Sequence, residues 1–239
     1  GEAAAAAGST LASAGLSNDT TVLNTETLAY IGNNAQVSAK DIDITANNSV
    51  SITSAVAAAS IGAVGGNGSV GVNDIDSITK AYIGASANVI ATGTAADEGI
   101  TVAAEDTTTL SGGSGGATAG VGNGGAAVNV NNLNKDTQAY IDSNSAVNSK
   151  GILSVNAKNN EDIYNLTIQG TGGLAAGVAG AVGVHDLNIT TKAYTDSGVN
   201  INQADGYASG GNITFAAEHD LDIESTIVGA AFTGAGVGA

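Results

Sequence analysis

The sequence predicts an all-β fold, a repetitive parallel β-solenoid, and three observations carry that prediction. The apolar residues are small, one set of markers recurs four times along the chain, and length variation is confined to one place in each period. The 239 residues contain no Cys, Pro, Met or Trp and only two Phe, so the large side chains that usually fill a globular interior are missing. Val, Ile and Thr recur in short runs, whereas the Lys, Arg and Glu that cover helix surfaces are scarce. A narrow interior lined by Ala, Val, Ile and Leu suits stacked strands.

The first element of each period is an alternating apolar strand: Ile42-Asp43-Ile44, Ile100-Thr101-Val102, Leu153-Ser154-Val155 and Ile213-Thr214-Phe215. Alternation places one face of the strand inward and the other in water. Next come the Gly/Ala-rich tracts, Val56 to Val72, Ser111 to Val130 and Gly170 to Val184. Val and Ile punctuate them and charge is absent, which argues against linkers. Small residues on both faces of a strand imply close approach of backbone, and such a surface calls for a neighbouring unit or a second chain. Asn67-Gly68 and Asn123-Gly124 are type I′ turn signals, so each tract is expected to protrude as a hairpin.

Each tract closes on Val-x-Val (Val70 to Val72, Val128 to Val130, Val182 to Val184), shortly before a Thr-x-Ala-Tyr phrase that ends at Tyr30, Tyr82, Tyr140 and Tyr194. A repeated Tyr suggests either a structural spacer or a sugar-stacking platform, and one per period at a constant site favours the spacer. The alternating strand and Val-x-Val keep an almost fixed spacing: Ile42 to Val72 equals Ile100 to Val130, and Leu153 to Val184 is one residue longer. The path from Tyr to the next alternating strand instead varies, short from Tyr30 to Ile42 and from Tyr140 to Leu153, longer from Tyr82 to Ile100 and from Tyr194 to Ile213. Insertions therefore fall in one loop, as solenoids require. The repeats run approximately 1–26 (partial), 27–78, 79–136, 137–190 and 191–239 (partial), in one continuous solenoid segment. A unit of this length is expected to hold two coils of roughly 27 residues, or about three tighter ones.

Chemistry is sparse. Net charge is −16 with six basic residues, which excludes a phosphate-binding surface and makes nucleic acid an unsuitable partner. The acidic residues are dispersed, as for solubility and mutual repulsion. No run approaches the ~20 apolar residues of a membrane span, and Gly1 to Gly8 lacks the features of a signal peptide. His185 and His219 have no second imidazole nearby and read as solvent-facing. Gly112-Gly113-Ser114-Gly115-Gly116 matches Gly-x-Ser-x-Gly without the strand-to-helix context of a nucleophile elbow. Asp41/Asp43, Asp74/Asp76 and Asp220/Asp222 pair carboxylates on one strand face, but the tandem calcium-binding nonapeptide fails at Val70, where Asp is needed, so structural calcium is the weaker reading. Sequons occur at Asn18, Asn47, Asn67, Asn165, Asn188 and Asn212. No catalytic, cofactor-binding or metal-ligating residue is nominated, and no cofactor is expected.

The units that join Ala-Tyr-Ile, an alternating Ile-x-Ile/Val strand and a Gly/Ala tract ending in Val-x-Val resemble the repeat regions of bacterial filamentous haemagglutinin-like exoproteins, including leukotoxin-type filamentous adhesins. The resemblance covers nearly the whole chain and rests on repeat style. It implies a right-handed β-helical rod, secreted to the cell surface or beyond, that presents binding regions away from the cell. Gly1 to Tyr30 has the length of Ser111 to Tyr140, so the chain is expected to be a slice of a longer array. The functional expectation is a non-catalytic structural or adhesive segment of an extracellular fibre. Its partners would be copies of itself or further repeats, together with surface glycans or proteins. A polysaccharide-acting β-helix enzyme would need a cleft of clustered carboxylates, and an ice-binding solenoid a flat Thr ladder, for which Thr107-Thr108-Thr109 and Thr20-Thr21 are the nearest candidates.

Overall fold

The computed structural model describes residues 1–95, 98–207, 211–234 and 237–238. All regular structure among them is β: β1 (Glu2–Gly8), β2 (Ala12–Ile31), β3 (Gln36–Ala39), β4 (Ile42–Ile83), β5 (Asn88–Ala91), β6 (Gly99–Ile141), β7 (Ala146–Ser149), β8 (Ile152–Thr195), β9 (Asn200–Ile201), β10 (Ile213–Thr233) and β11 (Val237–Gly238). The long strands form one parallel sheet in the order β1-β4-β6-β8-β10, with β2 also on β4 and β11 also on β8, and the short strands form a second, β3-β5-β7-β9.

Register fixes the architecture. Tyr30 pairs with Tyr82, Tyr82 with Tyr140 and Tyr140 with Tyr194. Ile42 pairs with Ile100, Ile100 with Leu153 and Leu153 with Ile213. Each sequence repeat is thus a single rung of the solenoid, and not the two or three smaller coils that repeat length suggested. The long strands β4 and β8, of 42 and 44 residues, accommodate this because each folds over on itself. Asn48 donates to Ser77 at 2.9 Å within β4, and Asn67 donates to the Ala58 carbonyl only nine residues back at 2.8 Å. An outgoing half and a returning half therefore face one another across a thin interior.

The chain bends near residues 62–64, 120–122 and 173–176. Gly120 and Gly122 pair with Gly173 and Ala176, so the extra residue between Leu153 and Val184 is absorbed as a register shift at this bend. The Asn67-Gly68 and Asn123-Gly124 hairpins expected from sequence do not form. Neither asparagine has positive φ, both lie within strands, and their amides are buried and bonded, Asn123 to the Gly172 carbonyl at 2.7 Å. Tract backbone pairs with the rungs on either side and leaves nothing to protrude.

Alternation sorts the side chains. One core cluster joins Ile44, Ile83, Val89, Ile100, Val102, Ile141, Val147, Leu153 and Val155 near the short strands, and a second joins Val50, Ile52, Ile75, Leu110, Leu133 and Ile163 farther along each rung. Towards the bend the interior thins and glycine faces larger partners: a Cβ on Gly71 would touch Val56 Cγ2 at 3.4 Å. At the other end, the turn before each short strand places Asn34, Ser86, Asn144 and Gly198 at φ of 58°, 57°, 58° and 74°. Asn and Gly are the residues that tolerate this left-handed position most readily. The variable loop lies between a short strand and the next long strand, so its insertions leave the ladder intact. The Ala96-Asp97 part of the first long insertion and residues 208–210 after the second lie outside the described residues.

Candidate functional surfaces and the interior polar column

The interior is not wholly apolar. Lys135, on the returning half of β6, is fully buried, with its Nζ 2.7 Å from Asp106 Oδ1 and 2.7 Å from Glu161 Oε1. Both carboxylates come from outgoing halves, on β6 and β8. Asp106 also accepts from Thr79 at 2.9 Å, from Asn48 at 3.1 Å and from Ser77, while Glu161 Oε2 lies 2.6 Å from His219 Nε2 on β10. Burial pushes the Asp106 carboxyl up, but Lys135, Ser77 and Asn48 together outweigh it and hold it below the ordinary value. The column links successive rungs, with the Lys135 ammonium shared between two buried carboxylates. Lys135, Asp106 and Glu161 are buried, and His219 at the end of the column is exposed.

A second interior column runs Asn73, Asn131, His185, with Asn73 donating to Asn131 at 2.9 Å and Asn131 Nδ2 lying 3.2 Å from His185 Nδ1. His185 Nε2 is 3.4 Å from Asn165, and burial lowers the His185 pKa. His185 thus faces inward, not towards solvent as its isolation in sequence suggested, because amide partners from other rungs meet it there, whereas His219 on the last rung is exposed while contacting Glu161. Repeat alignment holds the missing signal: residues that share a register column are Asn, Asn and His, and columns of hydrogen-bonding residues can be satisfied from rung to rung. Threonine behaves likewise, since the ladder Thr27, Thr79, Thr137, Thr191 points inward and Thr79 and Thr137 are fully buried. Outward Thr107 and Thr109 align with Ser49 and Asn160 and with Ser51 and Asp162, so no threonine array continues from them.

The remaining motif residues scatter. Ser114 is buried in mid-strand, far from any nucleophile geometry. Asp74 and Asp76 face outward and accept from Asn132 at 2.8 Å and Asn134 at 3.0 Å on the next rung, and Asn188 continues the ladder to Asn134 at 2.9 Å. Asp41 accepts from the Gly99 amide at 2.8 Å. Among the described residues no group of three or more His, Cys, Asp or Glu side chains is placed to hold a metal ion. Of the sequons, Asn67 and Asn165 are buried, whereas Asn18, Asn47, Asn188 and Asn212 are exposed. No helix among the described residues is long and apolar enough to cross a membrane.

Two outward surfaces stand out. Tyr30, Tyr82, Tyr140 and Tyr194 form a continuous stack with ring centroids 5.0, 4.9 and 5.1 Å apart and interplanar angles of 8°, 6° and 9°. Both faces of Tyr82 and Tyr140, and one each of Tyr30 and Tyr194, are occupied by neighbouring rings, which is the geometry of a spacer column, and burial together with the neighbouring tyrosines and Asp142 and Asp196 raises the Tyr140 pKa to about 12. The other surface is the bend-proximal half of the rungs, largely apolar on both exteriors from the second rung on, with Glu2, Asn18 and Thr20 on the first. Against protein-family models, curated proteins and solved structures, the chain finds no match.

Proposed function

We propose that this chain is a non-catalytic structural segment of an extracellular, surface-attached bacterial fibre that serves adhesion. The observation that carries the reading is the register: every repeat is one rung, and the tyrosine stack, asparagine ladder and interior columns pass from rung to rung without interruption. A repeat of this kind lengthens an object along one axis at a constant ~4.8 Å per rung, which is what a fibre needs. Polar groups are spent on linking rungs, among them the buried Lys135, Asp106 and Glu161. The resemblance to filamentous haemagglutinin-like repeats supports the same reading, with adhesion to surface glycans or proteins multiplied by repetition along the rod.

Immunogold electron microscopy of the native source with an antibody against this chain tests the proposal. Label along surface filaments is expected, on ribbons about 65 Å across and about 20 Å thick, given ~20 residues per half-rung and two sheets ~10 Å apart. Label confined to compact particles or to the cell interior would contradict it.

A further inference from the structure

We propose that copies of this chain stack side by side through the uncharged halves of their rungs, with a valine ladder on one copy seated in an apolar trough on the next. The trough, of about 550 Å³, lies on the exterior of the outgoing halves; Ala55, Ala57, Gly113 and Gly115 line its floor, and Leu166 and Ile168 form one wall. The ladder lies on the exterior of the returning halves, where Val70, Val128 and Val182 share one register column and Val72, Val130 and Val184 the next but one. Val70, Val182 and Val184 are 38, 50 and 43% exposed, an unusual state for branched apolar side chains in two neighbouring columns.

Three features point to a second copy as the occupant. First, the two surfaces lie back to back: Val56 meets Gly71 across the interior, so the Val70 and Val72 columns sit directly behind the Ala55 and Ala57 columns. Translation perpendicular to the sheets brings the ladder of one copy onto the trough of another, and only a partner with the same rung spacing keeps knobs and hollows in step over several rungs. Second, charge disfavours most other approaches. Residues 44–73, 107–134 and 163–184 contain no Asp, Glu, Lys, Arg or His, and the one charged side chain lining the trough is Glu2 at its first rung, while the chain carries a net charge of −16, so like molecules repel least here. Third, about ten residues on each of four rungs, with Asn18 and Thr20 continuing the valine columns on the first, present roughly 600 Å² per partner, or roughly 1,200 Å² in all, which reaches the lower bound of specific interfaces. The contact is heterologous, so it does not close on itself and builds a lateral array.

The inference extends the fibre reading by stating how rods bundle, and it can fail while that reading stands. Sedimentation of the unaltered chain is expected to show association that rises with concentration and persists in high salt. Val128→Glu (ladder) and Ala57→Glu (trough), both on the exterior, should each weaken association by at least about tenfold with β-sheet circular dichroism unchanged. Mixed in equal amounts, the two variants should form dimers that grow no further, since each mixture retains one intact ladder facing one intact trough. An unaltered chain that stays monomeric at its highest soluble concentration overturns the proposal. So do variants that associate like the parent, and mixtures that stay monomeric while the parent associates. Filaments labelled in the native source beside a monomeric chain would sink the stacking and leave the fibre.

Discussion

Lys135 and Glu161 form an ion pair at 2.7 Å inside the solenoid, across its two facing halves and between successive rungs. With Asp106 on the other side of the ammonium, the lysine is the one cation between two buried carboxylates. Replacing it by Met removes the cation that both buried carboxylates share and leaves them their neutral hydrogen-bond partners and His219. Lys135→Met is expected to cost about 3–5 kcal/mol in equilibrium denaturation. A combined change of Lys135, Asp106 and Glu161 to apolar residues of matching size should recover most of that loss.

Gln169 reaches two rungs, donating to Asn67 at 2.8 Å, and it does so through the space left by Gly125. A methyl at Gly125 would run into both amide groups, whereas one at Gly124 meets nothing within 4 Å. Gly125→Ala should therefore destabilise the fold by about 1–3 kcal/mol, the usual penalty for breaking a buried hydrogen bond. Gly124→Ala should be near neutral, and thermal melts of the two variants separate the cases.

Acid should weaken the fold in two steps. His185 has a folded pKa below its free value of 6.5, so the unfolded chain takes up a proton first and the stability present above about pH 6.5 is lost as pH falls below it. Asp106 is likewise lowered, from 3.8, so its contribution is present above that value and disappears as pH falls through its folded pKa. Denaturation midpoints measured from pH 7 to pH 3 should decline first around pH 6 and again below pH 4. His185→Asn should remove the first decline alone.

Tyr82 stacks on both Tyr30 and Tyr140, at 5.0 and 4.9 Å. Tyr82→Ala removes two stacked contacts, each worth about 0.5–1.5 kcal/mol beyond burial. Tyr30→Ala removes one. Urea titration should find the Tyr82 variant the weaker of the two.

Much of this architecture was legible in the sequence, because register is written directly into repeats: Tyr30, Tyr82, Tyr140 and Tyr194 pair in the order their phrases recur. The variable loop was legible for the same reason. Rung length was not. The shorter coils of familiar solenoids and the Asn67-Gly68 turn signal both argued for tighter turns. Yet Asn67 is drawn inward by Ala58 and Gln169, and the bend falls at Gly62 and Gly120, where no turn dipeptide marks it. The polar interior was hidden too. Asn48, Asp106 and Asn159 occupy one inward column where local alternation calls for apolar side chains, and only contacts between rungs satisfy them.

One repeat per rung is the claim on which the rest stands, and the absence of native cysteine makes it directly measurable. Ser51 pairs with Thr109 on the next rung, whereas two coils per repeat would place Ser51 beside Ile78, which here lies on the opposite exterior. A short bis-maleimide added to Ser51→Cys/Thr109→Cys should give intramolecular cross-linking, and the same reagent on Ser51→Cys/Ile78→Cys should give none. Efficient cross-linking of the second pair, with the first left open, would contradict the account.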